Sequence, residues 1–221
     1  NTFLGKDHTV KLYQIFNGSP AGRFNKLIGL QPDLEKLNII TIGAIPNQNR
    51  MHYKGIDLML GAFNNLKTKF PNLTFTIVGD YDAALIAKLL EQYCPLYKKD
   101  VLLTGQSNDL AVQLREACLY LHTARGEAWG ISVTEAMAAG IPAIVSEWTG
   151  SKEAVAKVSE ELVVPLDVTA ITERTAWYLQ LPLQEKQALS AKCKEVSRFY
   201  VEENAIANFK ATFEKACRET N

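Results

Sequence analysis

The 221-residue chain predicts an α/β fold: a doubly wound parallel sheet of about six strands with helices on both faces, followed by C-terminal helices. Three observations carry that expectation. Short apolar runs alternate with segments of helical periodicity. The runs are continuous rather than alternating in and out, as in strands covered on both faces. The first three end in Gly, at the strand edge where such sheets bind ligands.

Residues 1–37 read as irregular. The apolar stretch 12–16 leads into Asn-Gly-Ser-Pro-Ala-Gly, which is turn chemistry. The first strand is 38–43 (NIITIG), β-branched and closed by Gly43. Residues 54–67 place Ile56, Leu60 and Phe63 at helical spacing. A strand at 73–79 (LTFTIVG) and a helix at 83–93 follow. The third strand is 101–105 (VLLTG), with a helix at 109–117 and a strand at 119–123. A helix starting near Ile131 and running to 139 precedes the strand 142–146 (PAIVS). A short helix at 151–158 and a sixth strand at 162–165 complete the sheet. Residues 170–180, 184–199 and 203–219 are helical. Their aromatics, Trp177, Tyr178, Phe199, Tyr200, Phe209 and Phe213, are expected in the core; any that are not would face a partner domain or a membrane surface.

Composition excludes several classes. With 47% hydrophobic residues the chain has enough apolar surface to fold. The 24 basic and 24 acidic side chains cancel, against the basic excess of a nucleic-acid binder. The longest uncharged run, 37–49, is too short and too polar to span a membrane, and no signal-peptide pattern is visible in the 221 residues. The sequence begins Asn-Thr-Phe, so the expectation is a piece of a longer parent. Cys94, Cys118, Cys193 and Cys217 form no Cys-x-x-Cys pair and read as reduced thiols of a cytoplasmic protein; no metal site is expected.

The usual phosphate signatures are absent. GAIPNQ after the first strand fails Gly-x-Gly-x-x-Gly, and neither a P-loop nor a Gly-x-Ser-x-Gly elbow occurs. The informative segment is 122–153, HTARGEAWGISVTEAMAAGIPAIVSEWTGSKE. A strand ends there, a loop carries Glu127 and Gly130, and a helix begins. The first amides of that helix, at Ile131, Ser132 and Val133, lack intrahelical acceptors and offer an anion site. Glu127 and Glu135 have seven residues between them, but that spacing recurs at Glu153/Glu161 and Glu195/Glu203. Only the strand–loop–helix context sets the first pair apart. The bland alternative has Glu127 capping the helix and Glu135 solvated.

This segment resembles the donor-site signature of retaining glycosyltransferases of family 4, enzymes of GT-B architecture with Rossmann-like domains. Glu127-Ala128-Trp129-Gly130-Ile131 followed by Glu135-Ala136-Met137-Ala138-Ala139-Gly140-Ile141-Pro142 matches the family pattern. Thr149-Gly150-Ser151-Lys152-Glu153 resembles its Gly-Gly-x-x-Glu turn. Lys54-Gly55-Ile56-Asp57-Leu58, Phe75-Thr76-Ile77-Val78-Gly79-Asp80, and Ile15-Phe16-Asn17-Gly18 with Phe24 resemble further motifs, in the family's order.

The resemblance implies the C-terminal, donor-binding half of such an enzyme: 1–37 an interdomain linker, 38–200 the nucleotide-sugar-binding domain, 201–221 a helix that packs on the N-terminal domain. Lys54 would neutralise the diphosphate and Glu127 would orient the transferred sugar. Glu135 would accept hydrogen bonds from the ribose hydroxyls. Gly130, Ile131 and Ser132 would hold diphosphate and sugar through their amides. Gly79 and Gln106 would approach the base, and Thr123 stands where the family has Thr or Ser. One departure concerns charge: the family's Arg after the first strand is replaced by Ala44, and Arg50, in a lengthened loop with His52, is either its substitute or a surface residue. The implied reaction is metal-independent, cofactor-free transfer with retention from a nucleoside-diphosphate sugar to a glycan or lipid-linked acceptor. It would take place in the cytoplasm or at the inner face of a membrane. The leaving group is stabilised electrostatically. Two alternatives remain: a GT-B sugar-nucleotide epimerase, for which only His52 and His122 are further bases, and a nucleotide-sugar binding module without turnover.

Overall fold

The structure of the chain, a computed structural model, describes residues 13–107 and 109–220. Leu12, which opens the predicted apolar stretch, lies outside them. Six strands form one all-parallel sheet: β1 (Asn38–Ile42), β2 (Thr74–Val78), β3 (Val101–Gly105), β4 (Leu119–His122), β5 (Ala143–Ser146) and β6 (Val163–Val164). Their spatial order is β3-β2-β1-β4-β5-β6. Ile39 of β1 stands opposite Phe75 of β2 on one side and Leu119 of β4 on the other; all three are buried. The chain winds outward from β1 in one direction and from β4 in the other. The carboxyl ends of these two strands therefore flank the topological switch point.

The helices are α1 (Ala21–Ile28), α2 (Gln48–Lys54), α3 (Ile56–Leu66), α4 (Ala83–Tyr93), α5 (Leu110–Arg115), α6 (Ile131–Ala138), α7 (Lys152–Ala156), α8 (Val168–Gln180), α9 (Leu183–Ser197) and α10 (Glu202–Thr220). α3 packs against α4 and α8, while α6 packs against α1 and α9. Local chemistry starts several of them. Asp82 accepts from the Leu85 amide at 2.8 Å and Asp167 from Ala170 at 2.9 Å, capping α4 and α8.

The sheet and the doubly wound class agree with the sequence expectation. Three local expectations fail. The segment read as irregular contains α1, whose Phe24 and Leu27 enter the core; the Ser19-Pro20 pair starts a helix rather than a loop. The single helix expected over 54–67 is split, because Gly55 takes φ 69° between α2 and α3. A β-carbon at Gly55 would lie 2.0 Å from the Thr123 carbonyl oxygen, so only Gly permits this approach. The lengthened loop before Lys54 is itself largely helical, started by Asn47 accepting from the Arg50 amide at 2.9 Å.

The aromatic expectation holds in part. Tyr178 and Tyr200 are buried, but Phe199, Phe209 and Phe213 are exposed, the last two stacked on α10. Helical periodicity marks an apolar face but not what covers it. Cys94, Cys118 and Cys193 are buried free thiols, and Cys217 is free and exposed. The segment before α1 and the segment before α10 cross at one point. Ser19 donates to the Tyr200 carbonyl and accepts from the Glu202 amide, both at 3.0 Å. A β-carbon on Gly18 would sit 2.3 Å from the Val201 carbonyl. Phe16, Trp129, Phe199 and Tyr200 cluster there, tying the crossing to the loop that carries Glu127.

Candidate functional site

Lys54 is the last residue of α2 and is buried. It is not a helix-start lysine. At a helix C-terminus its charge is favoured by the dipole, and its stem lies over Gly43, with Cε 3.5 Å from where a β-carbon would be. That places its ammonium at the switch point, where it ion-pairs with Glu127 Oε2. The loop that carries Glu127 is clamped against α2 by three further contacts. The Arg125 amide donates to the Tyr53 carbonyl at 2.8 Å, the Tyr53 hydroxyl donates to the Gly126 carbonyl, and the Arg125 guanidinium donates to the His52 carbonyl. Arg125 also forms a two-pronged pair with Asp57 at 2.8 and 2.7 Å.

Burial alone would raise the Glu127 carboxyl. The Lys54 hydrogen bond and charge, helped by His122 and Arg50, reverse this and hold it below its usual range. His122, at the end of β4, is pushed down to about 4, first by burial and then by Lys54, so the imidazole is neutral at neutral pH.

Gly130 precedes α6 at φ 79°, and no side chain caps the helix. The Val133 amide turns back to the Gly130 carbonyl at 2.9 Å. The Ile131 and Ser132 amides occupy the uncapped first turn, the positive end of the helix dipole. The Ser132 hydroxyl is engaged by the Tyr120 hydroxyl at 2.8 Å. Glu135, one turn further on, is 2% exposed. It is not solvated: its carboxylate takes Arg23 Nη1 at 2.9 Å and the Ser19 hydroxyl at 3.3 Å, both from the segment around α1. Beyond Arg23 lies a cavity of 340 Å³ lined by Arg23, Lys26, Ser107 and Asp109, among others.

A family model described as Glycosyl transferases group 1 matches residues 36–180. The chain belongs to the group 1 glycosyltransferases. Protein CapJ of Staphylococcus aureus is 26% identical over 206 residues, covering 89% of this chain and 50% of CapJ. The chain thus spans about half the length of the curated relative it matches. Among solved structures, WaaG, a glycosyltransferase involved in lipopolysaccharide biosynthesis, superimposes with a TM-score of 0.69 at 20% identity, over 90% of this chain and 54% of WaaG. Anabaena HepE, solved with UDP and glucose, gives 0.68 at 17% identity, over 92% of this chain and 56% of HepE. The glycosyltransferase domain described here is thus the C-terminal part of a GT-B fold.

Within this glycosyltransferase domain the residues singled out from sequence fall into two groups. Lys54, Glu127, Gly130, Ile131 and Ser132 meet around the start of α6, and Glu135 lies behind them toward α1. Arg50 is exposed on α2 with its guanidinium 5.2 Å from the Tyr53 ring centre, and its charge reaches Glu127 and His122. The other group is tied into the backbone. Thr123 is fully buried and donates to the Gly55 carbonyl at 3.2 Å. Gly79 is fixed by its neighbours, since a β-carbon there would be 2.5 Å from the Gly43 carbonyl oxygen. Gln106 is exposed in the bend after β3. Sequence reading missed Arg23 and Ser19 as partners of Glu135; they lie more than a hundred positions away, and no local pattern signals the contact. Among the described residues no cluster of three or more His, Cys, Asp or Glu is arranged to hold a metal ion, and no helix is long and apolar enough to cross a membrane.

Proposed function

We propose that this domain binds the nucleoside-diphosphate sugar for a retaining, metal-independent glycosyltransferase that transfers the sugar to a glycan or lipid-linked acceptor. The observation that carries the reading is the Lys54–Glu127 pair at the switch point, beside the uncapped N-terminus of α6. The diphosphate lies between Lys54 and the Ile131 and Ser132 amides, with Arg50 standing in for the charge that Ala44 lacks. The developing negative charge of the leaving diphosphate is stabilised there by fixed donors. Glu127, ionised at neutral pH, orients the transferred sugar through its hydroxyls. Glu135 takes the ribose in exchange for Arg23, and the base lies toward Ser107 and Gln106. UDP is the first nucleotide to test, since HepE was solved with it. Residues 13–37 then form the linker from an N-terminal domain. α10 would dock on that domain through Ile206 and Phe209, which line an apolar groove with Ile15 and Phe16. The reaction would take place in the cytoplasm or on the inner membrane face.

Calorimetric titration with UDP, GDP and ADP, followed by a transfer or donor-hydrolysis assay, tests this. Micromolar binding of one nucleotide is expected. Binding without turnover by the isolated chain fits a donor module that needs its other half, whereas no binding to any of the three refutes the site.

A further inference from the structure

Two buried polar atoms around the site make no hydrogen bond, Trp129 Nε1 and His122 Nε2, and the histidine is the one that faces a charged group. His122 has a side chain 1% exposed, and its Nε2 makes no hydrogen bond. Buried polar groups are nearly always paired, and an exception needs a reason. The ring lies flat along Tyr120, with centroids 6.2 Å apart. Nε2 borders the gap between Glu127 and Gly130. It is 3.9 Å from Glu127 Oε2, and a β-carbon at Gly130 would stand 3.2 Å from it. Only a glycine at 130 keeps this gap open.

At 3.9 Å no hydrogen bond exists. The oxygen that His122 faces is the one already held by Lys54. Lys54 is also the cation placed on the donor diphosphate. A dianionic diphosphate competes with Glu127 for that single ammonium. When Lys54 turns to it, Glu127 loses its strongest partner, and an ionised carboxylate left unpaired at a partly buried site is costly.

We propose that His122 is a positioning residue that takes over Glu127 Oε2 when a nucleoside diphosphate draws Lys54 away. This rests on the donor-site reading above. The exchange makes and breaks hydrogen bonds only. Nε2–H donates to Oε2 after the two atoms close by about 1 Å, to ordinary hydrogen-bond length. The neutral ring is the form required, since its Nε2–H tautomer has one proton to donate there. The consequence is that Lys54 serves the phosphates while Glu127 stays fixed at the sugar, so donor binding sets both ends of the bond to be broken.

The test uses the chain labelled with ¹⁵N-histidine and whichever of UDP, GDP or ADP binds most tightly, with the corresponding nucleoside as control. The nucleoside lacks phosphates and leaves Lys54 on Glu127. Saturation with the diphosphate should move the His122 Nε2–H proton resonance downfield, while the nucleoside should leave it in place. His122→Phe should weaken diphosphate binding about five- to tenfold and nucleoside binding less than twofold, and the loss should vanish in a Glu127→Ala background. Tight diphosphate binding with an unmoved His122 resonance overturns the exchange and leaves the donor site standing. An equal loss for nucleoside and diphosphate assigns His122 a structural role and likewise overturns it. If none of the three nucleotides binds the unaltered chain, the donor reading falls and the exchange with it. Should His122→Phe fail to fold, the resonance measured on the unaltered chain decides alone.

Discussion

Glu127 and Glu135 share one short segment, yet the fold gives them opposite settings. Glu127 is on a loop, its side chain 18% exposed, and its cation comes from α2 at the switch point. Glu135 is on a helix, its side chain 3% exposed, and its cation, Arg23, is itself 54% exposed and comes from α1. Each carboxylate is held by a cation of the chain's own. The Lys54 pair is built into the sheet edge, because α2 is clamped to the Glu127 loop by Arg125 and Tyr53. The Arg23 pair joins the site to the segment where the chain crosses itself at Ser19 and Val201. In the proposed donor site, one carboxylate would stand on the diphosphate and sugar side and the other on the ribose side.

The most severe way to break this contrast is Gly55→Ala. A left-handed backbone and a contact of 2.0 Å with the Thr123 carbonyl act together. A loss of about 3 kcal/mol or more is expected in urea unfolding, together with the positioning of Lys54. Acid should act next, on the Glu127 side. His122 has its pKa lowered from 6.5 to about 4, so between these values the unfolded chain binds the extra proton. Stability is therefore full above pH 6.5 and falls as pH drops toward 4, by roughly 3 kcal/mol in total. Glu127 is also depressed, so its contribution is present above its unfolded value of 4.5 and is lost as pH falls through its folded pKa. Stability curves measured from pH 7 to pH 3 should lose the first phase in His122→Phe and keep the second.

Binding sharpens the comparison further. Lys54→Ala should cost roughly 1.5–3 kcal/mol of UDP affinity and leave uridine affinity unchanged, while Glu135→Ala should weaken both ligands by a similar amount. Equal losses of uridine affinity in the two variants would erase the distinction between the two sides. The smallest effect is expected for Arg23→Ala. Its guanidinium is exposed and screened by solvent, but its loss leaves the buried Glu135 carboxylate only the Ser19 hydroxyl, so thermal unfolding should register about 1–2 kcal/mol. Its uridine affinity should be unchanged or improved, because the ribose no longer competes for Glu135.

Much of this was legible in the sequence because it is encoded locally. The strands announce themselves as continuous β-branched runs, and the order of the glycines and of the Glu127–Pro142 motif marks the carboxyl edge of the sheet. α1 was not legible, since its Ser19-Pro20 start reads equally as a turn. Neither was the break at Gly55, because a glycine after Lys54 signals a turn or a helix start until the Thr123 carbonyl is seen pressing on it. Thr123 and Gly79 show the reverse. Both sit at strand ends, where ligands bind, but the hydroxyl of one is bound to Gly55 and the backbone of the other lies against Gly43.

By itself the sequence determined the fold class, the strand order along the chain and the identity of the two carboxylates, because periodicity and turn chemistry act between neighbours. Only the tertiary structure decided which cation each carboxylate holds and that His122 is left unpaired. Those facts depend on contacts between segments brought together by the winding of the sheet, and electrostatic pairing depends on distance in space rather than on separation along the chain.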